Sequence, residues 1–307
     1  MLSGTVFQDR RTTGVERLRG GSKKGVYRVA LDGPGPSSVI VYRWTAEENY
    51  WPDAGDVDDT DPLGPASGPE LFLAAWRRLD RLGVRVPRVL DTDGAEWAVV
   101  EDVTGGTLEA LLARDPGRGA AAVAELGRAL DAMHADHAPR CGRVDRLDRT
   151  PDIACEQRVY DRALDDLAEA ARRDDRIAAA RDRFAHRLAE LRDRVAPRSQ
   201  VGLIHGELGP DHVLLDADDR PVLIDIEGLM HFDVEWEHVF LRLRFRDHYP
   251  PLARPGLDPD RLALYSLSLH LNLVAGPLRL LDGDFPDRAA MLFIAERNLE
   301  AALALLP

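Results

Sequence analysis

Residues 203–225 read LIHGELGPDHVLLDADDRPVLID. His205, Glu207 and His212 fall in one short loop, an apolar run follows, and a second apolar run ends on Asp225. The pattern predicts a loop–strand–turn–strand unit that holds polar side chains at fixed offsets. Such a unit can bring a general base and two metal ligands to one point.

Working outward, the 307 residues are enough to bury a sizeable core in one large domain or two lobes. Hydrophobic residues at 45% and charged residues at 30% describe a globular chain rather than a disordered one. A formal net charge of −13 argues against a nucleic-acid partner, which selects for a basic footprint. It suits a cationic substrate, although solubility accounts for it equally well. Two cysteines, Cys141 and Cys155, make neither a disulfide framework nor a C-x-x-C knuckle. With no basic-then-apolar leader at the N-terminus, the expected location is the cytoplasm. Residues 262–278 lack Asp, Glu, Lys and Arg, but the run is short for a membrane span and carries Ser266, Ser268, His270 and Asn272. It reads as a helix buried in a protein core, so no membrane partner is expected.

The first hundred residues alternate strand-like runs with turns. Residues 25–30 (GVYRVA) and 38–44 (SVIVYRW) flank DGPGPS and predict an antiparallel hairpin. Residues 47–68 are rich in Asp, Pro and Gly and read as a flexible acidic loop. Helical spacing returns at 70–82, and strand character at 84–90 and 97–101. Beyond residue 106 the texture is helical: 108–113, 120–134, then 153–195, which is long enough for two helices. A further helical block runs from residue 261 to the end. The texture describes an α+β chain, small and β-rich over 1–103 and large and mostly helical over 104–307. The motifs, not the composition, select a bilobal plan with an N-terminal nucleotide-binding lobe and a helical lobe carrying the loop and the substrate site.

Four places can carry chemistry. The turn Gly20-Gly21-Ser22-Lys23-Lys24-Gly25 can lay backbone N–H groups along a phosphate, although a glycine hairpin with two exposed lysines accounts for it as well. In the strand after it, alternation puts 39, 41 and 43 on one face, so Arg43 can offer a cation to phosphate oxygens. Glu70, opening the next helix, is its natural ion-pair partner and also suits the helix dipole. The strand end Val99–Val103 offers backbone groups, at Glu101 and Val103, to an adenine edge. In the opening loop, Glu207 can orient a hydroxyl and receive its proton. Asp225 can bind magnesium, since an acid closing an apolar strand is costly unless paired or metal-bound. His205 reads as a hydrogen-bonded brace. The loop also carries residue types that bind zinc, but not at the helical H-E-x-x-H spacing.

H-G-E-L-G-P-D-H-V-L-L-D followed by V-L-I-D-I-E-G resembles the aminoglycoside phosphotransferase and choline kinase-like family, whose usual forms are H-G-D-x-x-x-x-N-V-L and I-D-[FW]-E. Residues 127–135 (GRALDAMHA), 82–90 (LGVRVPRVL), 100–108 (VEDVTGGTL) and 232–237 (FDVEWE) are similar to further family segments. The resemblance implies a protein-kinase-like fold and transfer of the γ-phosphate of ATP or GTP to a hydroxyl of a small acceptor, with Mg2+ as cofactor. It implies Glu207 as catalytic carboxylate, Asp225 and His212 as metal ligands, and Gly21, Ser22, Lys23, Arg43, Glu70, Glu101 and Val103 around the nucleotide. Glu207, His212 and Arg43 stand where the family has Asp, Asn and Lys. These departures give the alternative reading, a nucleotide-binding pseudokinase with impaired catalysis. Asp233, Glu235, Trp236 and Glu237 are candidate acceptor contacts, each with a structural role as the plainer account.

Overall fold

The computed structural model describes residues 6–7, 10–18, 21–51, 60–65 and 67–307. Outside them lie residues 1–5, 8–9 and 19, Gly20 of the glycine turn, and residues 52–59 and 66 of the acidic loop. The chain divides into two compact units that alternate along the sequence. The first comprises Met1–Tyr50, Ala66–Ala129 and Pro210–Gly228, and the second Trp51–Pro65, Leu130–Gly209 and Leu229–Pro307.

The first unit is built on an antiparallel sheet of β1 (Val6–Phe7), β2 (Arg10–Arg17), β3 (Gly25–Leu31), β4 (Ser38–Arg43), β5 (Val89–Thr92) and β6 (Trp97–Glu101), ordered β1-β2-β3-β4-β6-β5. The predicted hairpin is β3–β4, with Val29 opposite Val39. Helix α1 (Pro69–Arg81) starts on a proline, carries Glu70 in its first turn and Arg78 and Arg81 in its last, and buries Leu71, Phe72, Ala75 and Leu79. Each of these suits its place: proline needs no helical N–H at the start, and the charges oppose the helix dipole. Residues 84–88, expected as strand, lie outside the sheet: Pro87 has no N–H for a ladder, its carbonyl accepts from Trp76 Nε1 at 3.0 Å, and only Val89–Thr92 pairs. Helix α2 (Leu108–Arg114) is capped by Thr107, whose Oγ accepts the Ala110 N–H. Helix α3 (Pro116–His134) follows it.

The second unit holds the sheet β7-β9-β12-β8, made of β7 (His137–Ala138), β8 (Gly142–Arg143), β9 (Val201–Ile204) and β12 (Met230–Phe232). The two-stranded pair β10 (Val213–Leu215) and β11 (Pro221–Leu223) belongs to the first unit. The long helical stretch is two helices, α4 (Cys155–Arg173) and α5 (Asp175–Arg194), divided at Asp174, which ends one and caps the other by accepting the Arg176 N–H. Helix α6 (Val234–Phe245) was not expected. Glu235 to Leu241 are all buried, so it lacks the one-sided apolar stripe by which a helix is read. Helices α7 (Pro259–Leu280) and α8 (Arg288–Ala304) close the unit around Phe184, Leu188, Phe232, Tyr265 and Leu299. Residues 262–278 lie within α7 and are largely buried. Among the described residues no helix is long and apolar enough to cross a membrane.

Candidate active site

Two glycines shape the turn before β3. Gly21 has φ +77°, and a Cβ there would lie 2.6 Å from the Lys24 carbonyl oxygen. A Cβ on Gly25 would lie 2.5 Å from the Glu48 carboxylate, which is held by Arg17 at 2.9 Å and by the Tyr27 hydroxyl. Neither position accepts a side chain without local rearrangement. The Ser22 carbonyl accepts the Tyr50 N–H at 2.9 Å, and the Lys23 carbonyl accepts Ser67 Oγ at 3.2 Å.

The turn ends on Lys24, which is 7% exposed. Its ammonium donates to Asp225 Oδ1 at 2.7 Å and to Glu227 Oε1, and lies 5.2 Å from the centroid of the Tyr42 ring. Burial acts to lower the Lys24 pKa, but the charges of Asp225 and Glu227 outweigh it and hold the group protonated. Burial also pushes the Tyr42 phenol up. Asp225, just after β11, sits at φ +59°. That left-handed backbone is uncommon outside glycine, though aspartate tolerates it better than most residues. From sequence Lys24 is one of two lysines on the glycine turn, exposed in the plain hairpin account; the structure buries it. Its partners are some two hundred positions away, and nothing local announces them.

The other residues expected around the nucleotide are distributed as follows. Arg43 ends β4, is half-buried, and has Glu47 and Glu48 as electrostatic neighbours. Glu70 is exposed in the first turn of α1. Glu101 takes Arg85 at 2.7 Å and Arg88 at 3.2 Å, and its own N–H donates to the Arg88 carbonyl. Val103 is buried, and among the described residues no backbone hydrogen bond occupies its amide or carbonyl. Beside it, Asp102 binds Arg28 and Ser38.

The loop after β9 is braced from α6. The Glu237 carboxylate accepts the backbone N–H groups of His205 and Gly206, and Trp236 Nε1 donates to the Gly206 carbonyl at 3.1 Å. Gly206 has φ +98°. His205 is fully buried, while Glu207 faces solvent one residue past this braced turn. Asp233 and Glu235 are also consumed by structure. Asp233 takes Arg261, Arg198 and the Tyr265 hydroxyl, and Glu235 takes Arg198 and the Asp258 N–H. All three acids are fully buried. They hold the loop and helix in place and have no surface to offer an acceptor.

A magnesium ion needs one or two carboxylates, its other ligands being waters and substrate oxygens. Asp225 and Glu227 fit that need. The Asp225 side chain is 38% exposed, and Glu227 Oε2 is buried without a hydrogen-bond partner among the described residues. His212 Nε2 lies 3.9 Å from Asp225 Oδ2 and 3.7 Å from Asp211 Oδ2. An imidazole is a softer ligand than magnesium favours, so the carboxylates dominate the donor set. Among the described residues, no three His, Cys, Asp or Glu side chains form a group able to hold a metal by themselves.

A β-sheet with a glycine turn, a mostly helical unit and a braced loop presenting a carboxylate are the parts of a protein-kinase-like fold. Solved structures share that fold. An aminoglycoside phosphotransferase, APH(4)-Ia, crystallised with ADP and hygromycin B, matches at TM-score 0.60 and 17% identity over 94% of each chain. Spectinomycin phosphotransferase APH(9)-Ia, with ADP and spectinomycin, matches at TM-score 0.65 and 12% identity over 96% of this chain and 94% of that one. The choline kinase LicA from Streptococcus pneumoniae matches at 0.61 and 15% over 95% and 94%. The chain belongs to the phosphotransferase enzyme family, whose family model matches residues 15–270. No curated protein matches it in a sequence search.

Proposed function

We propose that the protein transfers the γ-phosphate of ATP or GTP to a hydroxyl of a small, cationic acceptor such as an aminoglycoside, an aminosugar or another antibiotic. The observation that carries this reading is Glu207, an exposed carboxylate on a loop whose backbone is fastened by Glu237 and Trp236. A base must be held still at the point where a proton leaves, and a braced turn does that. Glu207 orients the acceptor hydroxyl and takes its proton. The glycine turn and a cation of the first unit bind the nucleotide phosphates, and the backbone at Val103 meets the base. Asp225 and Glu227, with His212 beside them, would hold magnesium. When bound, that ion offsets charge on the transferring phosphate. The net charge of −13 and the acceptors of the neighbouring structures support a cationic substrate.

The test is a nucleotide-consumption screen with magnesium and ATP or GTP against aminoglycosides, aminosugars, choline-like alcohols and other natural-product antibiotics. Turnover that disappears in Glu207→Ala supports the reading. Nucleotide binding without turnover across the panel instead supports a pseudokinase, a reading favoured by the Glu207, His212 and Arg43 departures.

A further inference from the structure

Lys24 and Arg43, two of the cations near the glycine turn, stand on opposite faces of the six-stranded sheet. Residues directly opposite in an antiparallel pair share a face, and neighbours along a strand alternate. Gly25 lies opposite Arg43 and Val26 opposite Tyr42. Arg43 therefore shares the face of Val39 and Val41, which pack with Val29, Leu31 and Val99. Tyr42 is on the other face. Its ring meets Phe72 of α1 edge-on at 5.4 Å and stands over the Lys24 ammonium. That second face is where Asp225 and Glu227 reach Lys24.

We propose that Lys24, rather than Arg43, is the cation that contacts the nucleotide phosphates, with Asp225 and Glu227 positioning its ammonium. An ammonium has three N–H donors. Asp225 and Glu227 take two, and among the described residues no acceptor takes the third. Two carboxylates around one ammonium leave the cluster one negative charge in excess, so a divalent ion and the lysine can share Asp225. The cluster opens to solvent at Asp225 while Lys24 stays beneath it. Gly21 packs against the Lys24 carbonyl and Gly25 against the Glu48 carboxylate, so a side chain on either would force the turn that carries the lysine to shift. The inference rests on the nucleotide-dependent reading above, and it names which side chain serves that site.

The experiment measures Kd by calorimetry for ADP and for adenosine with magnesium, using the full chain, and for GDP and guanosine if the protein prefers guanine. A phosphate contact affects the diphosphate and leaves the nucleoside alone, whereas a merely structural salt bridge affects both or neither. Lys24→Met is expected to weaken ADP about tenfold or more and to leave adenosine within about twofold, the effect of losing one charge-assisted hydrogen bond. Arg43→Met is expected to shift the ADP-to-adenosine ratio by less than about threefold. An unchanged ratio in Lys24→Met, or the larger loss in Arg43→Met, overturns the assignment. If Lys24→Met does not fold, Lys24→Gln is judged by the same ratio. A wild-type protein that binds neither diphosphate overturns the phosphotransferase reading itself, an outcome distinct from failure of the lysine assignment.

Discussion

The carboxylate of Glu237 accepts the backbone N–H of His205 and so ties α6 to the loop that presents Glu207. Glu237 is fully buried and takes further N–H groups from Gly206 and Leu208. Burial raises its pKa despite these bonds. Glu237→Ala leaves the donors buried and unpaired. The expected loss of stability is about 1–3 kcal/mol, with turnover falling further than nucleotide affinity. Urea unfolding alongside Kd and kcat checks both parts.

Glu207 carries one methylene more than the aspartate usual in its family. Glu207→Ala should lower kcat about 10²–10⁴-fold, the range for loss of a positioned base. Glu207→Asp draws the carboxylate back and should retain measurable turnover, with nucleotide Kd unchanged in both variants. Single-turnover kinetics on an acceptor found by the screen separates the two variants.

Arg261 is fully buried and donates to Glu156 at 3.0 Å, to Asp233, and to the Ala196 carbonyl. Arg261→Met would take from the buried Glu156 carboxylate its guanidinium partner and leave Asp233 with Arg198 and the Tyr265 hydroxyl alone. Removing one partner of a buried pair costs about 3–5 kcal/mol. Denaturant unfolding should show a loss on that scale, and a loss below about 1 kcal/mol would mean that the network is not cooperative.

His134 and His238 pack with ring centroids 5.6 Å apart. Burial, with His238 and Arg254 adding to it, lowers His134 to about 3, and burial with Arg254 and Arg242 adding to it lowers His238 to about 4. Both folded-state values lie below the unfolded value near 6.5. The unfolded chain therefore binds more protons below pH 6.5, and stability falls as pH drops from about 6.5 toward 4. Each histidine contributes up to about 1.4 kcal/mol per pH unit in that window and nothing above it. His134→Leu should flatten the dependence of Tm on pH between 4 and 6.5. An identical slope in the variant would exclude His134 as a source.

Much of the fold was legible because the relevant forces are local. β-Branched and aromatic content marked β3, β4 and β6, and one-sided apolar spacing marked α1, α4 and α5. Helix α6 was not legible because burial all round removes the periodicity. Strand β2 was not singled out because its side chains are mostly exposed and polar. The 203–225 loop pair declared itself, since its polar residues interrupt an apolar frame at short range.

The amino-acid order alone determined the α+β pattern, the loop with Glu207, and the acid at 225, all from residues close in sequence. Only tertiary structure decided which cation meets that acid and what the acids of α6 do. Lys24 reaches Asp225 and Glu227 across about two hundred positions, and the pleat turns Arg43 to the opposite face of the sheet. Asp233, Glu235 and Glu237 look on paper like a cationic substrate's pocket, and burial commits them to Arg261, Arg198 and the backbone of the loop. The reason is physical: a charge removed from water takes whichever partner the packing brings within reach, and chain proximity does not reveal that partner.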